Sequence, residues 1–142
     1  MVVARCAPGC AASGATYVLD SGKALLLLSG RFLSDDQFWF SFFHEAGHLI
    51  LHSEQACVEE KGGEVSEIEN EANRFAQDLL LDPEGEAQLL ELASNKFAIA
   101  RFAKRCGVAP GIIVGQLQHR KKINPRAYNG LKVRYAVEAL TP

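Results

Sequence analysis

His44 and His48 stand four residues apart, with Glu45 directly after the first, in the run His44-Glu45-Ala46-Gly47-His48. On an α-helix, positions i and i+4 differ by about 40° around the axis and about 6 Å along it, so both imidazoles can aim at one point. A metal suits that point: zinc takes imidazole nitrogen at about 2.0–2.1 Å, and a catalytic zinc keeps three protein ligands and a water. Glu45 is then placed to accept a proton from that water as it attacks a carbonyl. The plainer alternative is a helix with two histidines satisfied by other partners. Three polar groups in an otherwise apolar helix count against it, because burying them unpaired is costly and a metal would supply the partners.

The third ligand must come from elsewhere. His52 lies a further turn along, about 12 Å in rise from His44, too far for the same ion, and reads as a helix-end or supporting group. Ser53, Glu54 and Gln55 follow it, so the metzincin pattern, with a histidine six residues after His48, is absent. A later helix offers Glu67, Glu69 and Glu71. From Glu69, helical spacing collects Ala72, Asn73, Ala76 and Leu80, a small-residue face able to press against the motif helix. The face through Glu71 collects Arg74, Phe75, Asp78 and Asp82 and is more polar. Glu69 is the better ligand, with Glu71 the alternative. Asn73, one turn beyond Glu69, either hydrogen-bonds a ligand imidazole or is an ordinary helical amide.

These groups need elements to hold them. Phe38 to Leu51 shows apolar residues on every side, the pattern of a central buried helix. Ser34-Asp35-Asp36-Gln37 before it has the form of a capping box, with Ser34 accepting from the Gln37 amide. Upstream, Tyr17-Val18-Leu19 and Ala24 to Ser29 flank the turn signal Asp20-Ser21-Gly22-Lys23 and predict a hairpin in a small sheet. The strand from Leu25 to Ser29 could hold an extended substrate by edge pairing if its edge is open, or it could simply be core. Residues 1–13 are an irregular lead-in, and residues 53–66 read as a solvated loop. Helices are predicted from Ser66 to Leu81, stopping before Asp82-Pro83, and at 84–93, 95–105 and 110–120. The whole is an α+β chain, with a small N-terminal β-sheet, a buried motif helix and a mainly helical C-terminal half.

With 142 residues and 48% apolar composition, one domain spanning 1–142 is expected. Cys6, Cys10, Cys57 and Cys106 include no pair with the two-residue gap of a zinc knuckle or redox site, and read as ordinary intracellular thiols. No apolar run approaches the roughly 20 residues that span a bilayer, and no signal peptide is apparent, so a cytoplasmic protein without membrane contact is expected. The net charge of -2 hides a split, since residues 101–142 hold nine Lys or Arg and only Glu138 as an acid. Phe97 to Arg105, Gly107-Val108 and Ile112 to His119 loosely match a helix-turn-helix, which makes nucleic acid a possible partner. The favoured reading completes the core with these helices and leaves their charges solvated, or lets Arg120 and Lys121 attract an acidic substrate segment. His119, Arg126 and Tyr128 are candidates, by residue type, to stabilise an oxyanion.

The motif, followed by Glu69-Asn70-Glu71-Ala72-Asn73-Arg74-Phe75-Ala76 and Leu79-Leu80-Leu81-Asp82-Pro83, resembles the ImmA/IrrE family of zinc peptidases. Asp35-Asp36-Gln37-Phe38-Trp39-Phe40 and Gly130-Leu131-Lys132-Val133-Arg134-Tyr135 look like the peptidase-like domain fused behind a helix-turn-helix in some HigA-type antitoxin regulators, so the resemblance runs from about 14 to 136. It implies a zincin-like, gluzincin-type α+β domain with His44, His48 and Glu69 as zinc ligands and Glu45 as base. It also implies a protein substrate or partner, in particular a DNA-bound transcriptional repressor, in a mobile-element, stress or toxin-antitoxin setting. The fused relatives begin with a DNA-binding module for which there is no room before residue 14, so regulation through it is not expected here. A zinc-containing domain that binds a protein partner without cutting it is the other reading.

Overall fold

The computed structural model describes residues 2–4, 14–29, 34–52 and 63–136, with side chains described from Gly14 onward in these ranges except at Ser29 and 63–66. Three strands come first: β1 (Val2–Ala4), β2 (Gly14–Val18) and β3 (Ala24–Ser29). Five helices follow: α1 (Asp35–Leu51), α2 (Gly63–Leu80), α3 (Pro83–Leu90), α4 (Lys96–Cys106) and α5 (Pro110–His119), with a short 3-10 turn at Asn129–Leu131. The architecture is α+β, as expected.

The predicted hairpin forms, with Gly14 opposite Leu28 and Val18 opposite Ala24 in antiparallel register. Gly22 closes its turn at φ 75°, a left-handed conformation that glycine adopts without steric cost. The sheet order is β1-β3-β2, with β1 parallel to β3. Two sequence expectations are corrected here. The lead-in contains a strand at Val2–Ala4, too short to show a period, while residues 5–13 lie outside the described residues. β3 is the central strand, paired on both edges, so edge pairing of a substrate to Leu25–Ser29 is overturned. Alternation along β3 buries Leu28, while Leu27 is 38% exposed on the opposite face.

Ser34 is the N-cap of α1 in extended conformation, but it makes no side-chain cap bond to the backbone. Its hydroxyl instead donates to the Gln37 side-chain oxygen at 3.3 Å, so the expected capping box is absent. Asp35 and Asp36 in the first turn supply favourable charge at that end. The start is also tied to the far end of the chain: the Asp35 amide donates to Val133 at 2.8 Å, and Ser34 bridges Arg134. The loop expected over 53–66 gives way to helix at Gly63, and residues 53–62 lie outside the described residues. Downstream, Asp82 caps α3 through the Gly85 amide, Asn95 caps α4 through Ala98, and Gly107 ends α4 at φ 72°. The helix predictions rest on Pro83, Gly107 and Pro110, and the structure adds the two short polar N-caps.

α1 and α2 meet through small residues. Gly47 is buried, and a Cβ there would stand 3.1 Å from Phe75 and 3.3 Å from the Ala72 Cα, while Ala72 and Ala76 are fully enclosed. The C-terminal core joins Leu81, Leu89, Ile99, Phe102, Ile113, Val114 and Leu117. α5 buries Gly111, Ile112, Ile113, Val114, Gln116 and Leu117, which leaves little of it to enter a nucleic-acid groove. Arg120 is hydrogen-bonded to Glu86 and Gln116, so its charge is used internally rather than offered to a substrate. That guanidinium holds the Glu86 carboxyl below its ordinary range. No helix among the described residues is long and apolar enough to cross a membrane.

α5 is seated on α1 by Gly111. A Cβ at this position would lie 2.2 Å from Oδ1 of Asp35, whose side chain is fully buried. Gly111→Ala is therefore expected to destabilise the chain. Overpacking of a buried contact costs about 1–3 kcal/mol and outweighs the roughly 1 kcal/mol that alanine gains in helix propensity. A urea midpoint equal to or above that of the parent chain would contradict this reading.

Candidate metal centre

α1 carries His44, Glu45 and His48 in its second half, and α2 carries Glu69 and Asn73 across the small-residue contact just described. The Nε2 atoms of His44 and His48 are 3.1 Å apart, and Glu69 turns one oxygen to each, Oε2 at 3.4 Å from the first and Oε1 at 3.2 Å from the second. Four ligands arranged tetrahedrally at about 2.0–2.1 Å from zinc stand about 3.3–3.4 Å from one another, so these edges fit such an ion. The donor set fits as well: two imidazoles and one carboxylate are borderline-to-hard donors suited to zinc.

The surroundings prepare the donors. Asn73 Oδ1 lies 3.0 Å from His44 Nδ1 and accepts its N–H, which fixes the tautomer and turns the Nε2 lone pair toward the convergence point. Burial pushes the His48 imidazole below its usual pKa; the carboxylates of Glu69 and Glu45 oppose this, while His44 and His52 add to the lowering. The net effect favours the neutral form of His48, the form that can ligate. The His44 and His48 side chains are 17% and 18% exposed, whereas Glu69 is 50% exposed, so the group opens to solvent on the α2 side.

Glu45 does not join the convergence. It is 8% exposed, and its Oε2 accepts a hydrogen bond from Thr16 Oγ1 at 2.8 Å. The same hydroxyl stands 3.2 Å from the Glu45 carbonyl oxygen. Gly14, two residues earlier on β2, permits this approach, because a Cβ there would lie 2.6 Å from both Cγ and Oε1 of Glu45. Both strand residues escaped the sequence reading. Their signal is the period of two that puts Gly14 and Thr16 on one face of β2, half-buried while Ala15 and Tyr17 are exposed.

The remaining candidates separate. Glu71 is not at the convergence: its Oε2 lies 3.3 Å from Nε2 of His52, the buried C-cap residue of α1. His119 lines a different cavity, and Tyr128 donates its hydroxyl to the Ser94 carbonyl at 2.7 Å. Neither these two nor Arg126 lines the cavity of about 550 Å³ that holds the histidines, Glu45 and Glu69. Among the described residues, His44, His48 and Glu69 form the group of His, Cys and carboxylate side chains able to share one ion.

Comparison with known proteins agrees with this geometry at the level of family. Residues 8–118 match the family model described as Peptidase_M78: IrrE N-terminal-like domain, a span that includes β2, β3 and all the site residues on α1 and α2. No curated protein matches the chain.

Proposed function

The chain belongs to the IrrE N-terminal-like peptidase family, and from that premise we propose that it is a zinc-dependent peptidase of zincin-like, gluzincin type. In this reading His44, His48 and Glu69 are the ligands and Glu45 is the base. The observation that carries it is the convergence of two imidazole nitrogens from α1 and a carboxylate from α2 at separations of 3.1–3.4 Å, with the Glu45 carboxylate of α1 held outside that group.

Zinc, when bound, acts as a Lewis acid that lowers the pKa of water and polarises a carbonyl oxygen. The chain supplies the rest. Asn73 holds His44 in the ligating tautomer. Thr16 donates to Glu45 and fixes the plane of its carboxylate, which takes the proton from water and delivers it to the departing amine. β2 pairs only with β3 among the described residues, and in this reading its other edge, beside Glu45, is where an extended peptide aligns its carbonyls. The substrate class we propose is a protein, specifically a DNA-binding transcriptional repressor, cut in an exposed segment.

The two acids on α2 provide the test. Glu69→Gln is expected to lose bound zinc and peptide cleavage together, whereas Glu71→Gln keeps about one zinc per chain. Metal analysis after dialysis against zinc-free buffer reads the difference. Full zinc in the Glu69 variant and loss in the Glu71 variant would move the ligand assignment to Glu71 and overturn this site.

A further inference from the structure

A cavity of about 730 Å³ adjoins the metal centre and shares Phe40, Ser41 and Asn73 with it. Its floor is formed by α1 and α5 and one wall by α2. Asn70, Asn73 and Gln77 line that wall at spacings of three and four residues, so one face of α2 presents a ladder of carboxamides leading away from His44. Asn70 and Gln77 make no side-chain hydrogen bond to other described residues, and Asn73 uses its oxygen on His44 while its NH2 group has no such partner. Among the described residues each amide of the ladder therefore keeps donors for a ligand, and Asn70 and Gln77 keep acceptors too.

The two full cations that line this cavity are each paired with a carboxylate. Lys132 Nζ lies 2.6 Å from Asp36 and also donates to Gln118 at 2.8 Å. Arg74 is paired with Asp78 at 3.0 Å. Asp36 Oδ1 has no partner but is sealed from the cavity, and His119 adds an imidazole to the lining, so among the described residues a ligand ammonium finds no open carboxylate. A neutral group that both donates and accepts meets the ladder without leaving a charge uncompensated.

We infer that this cavity is a specificity pocket that takes the side-chain carboxamide of a glutamine or asparagine next to the scissile bond. The inference rests on the peptidase reading for its position in the substrate, but the carboxamide preference is a property of the cavity itself. The pocket is reached directly from the metal centre, since Phe40 and Ser41 stand on the turn of α1 that precedes His44.

Two measurements on the full chain test it. With zinc-loaded protein and a degenerate peptide library read by mass spectrometry, glutamine or asparagine should be enriched about tenfold at one position flanking the cut. Gln77→Glu should shift the preference at that position to lysine, a gain that unfolding cannot mimic. With metal-free, 15N-labelled protein, N-acetylglutamine methylamide should shift the side-chain amide signals of the ladder and bind about tenfold more tightly than the lysine analogue, in the reverse order for Gln77→Glu. Cleavage with no carboxamide preference, or one unmoved by Gln77→Glu, overturns the pocket and leaves the peptidase standing. Absence of cleavage with carboxamide-selective binding overturns the peptidase reading, and with it the pocket's place beside a scissile bond, but keeps the carboxamide site. Equal binding of the two probes removes that site in either case.

Discussion

A Glu45→Gln chain is expected to keep about one zinc and to lose peptide cleavage by about 10²–10⁴-fold, the range over which a positioned general base contributes. Glutamine has nearly the size of glutamate, and its carbonyl oxygen can still accept the Thr16 hydroxyl, so the packing of β2 against α1 survives. Gly14 leaves no slack for a larger rearrangement, since its Cα approaches the Glu45 side chain closely enough to exclude even a methyl group. What changes is basicity, because a carboxamide cannot take a proton from water near neutral pH. Retained metal with lost cleavage separates this chemistry from a domain that only binds a protein partner: such a domain has no use for the carboxylate and would be unaffected. Cleavage at the parental rate would remove Glu45 as the base. Loss of zinc in the same variant would mean instead that the carboxylate supports the ligands.

The parts of this arrangement that could be read in the sequence are those created by helical periodicity. Glu69 and Asn73 are four residues apart on the face that also carries Ala72 and Ala76, so the spacing that buries the alanines against Gly47 also delivers the acid and the amide to the histidines. Helix ends were legible where a proline or a glycine makes them, at Pro83, Gly107 and Pro110, whereas the caps at Asp82 and Asn95 escaped the sequence reading. The structure adds contacts between residues distant in sequence, which no local pattern records. Thr16 reaches Glu45 across 29 positions, Lys132 reaches Asp36 across 96, and Gly111 receives the buried Asp35 side chain. β1 is invisible for another reason: three residues cannot display a period, and its pairing with β3 decides whether that strand is an edge. Ser34 satisfies the letter of a capping pattern, yet the α1 start is instead anchored by the backbone bond from Asp35 to Val133, so the local signal was overridden by tertiary structure.

The second large effect concerns the metal itself. Addition of zinc to the metal-free chain is expected to raise its melting temperature, since a ligand that binds only the folded state stabilises it by RT ln(1 + [L]/Kd), about 4 kcal/mol at a thousandfold excess over Kd. A His44→Ala, His48→Ala chain should bind no zinc and show no such rise. The double change removes both imidazoles, so the carboxylate of Glu69 alone cannot retain the ion. Acid should erase the effect in the parent chain, because protons compete for the same nitrogens. The sign follows from His48, whose folded pKa lies below the ordinary value of 6.5. Its neutral form is favoured by folding, so the associated stability is present above 6.5 and is lost as pH falls through the lower folded value. Zinc-dependent stabilisation is therefore expected to persist somewhat below pH 6.5 and then disappear, and a zinc-induced rise that survives in the double variant would place the ion somewhere other than between α1 and α2.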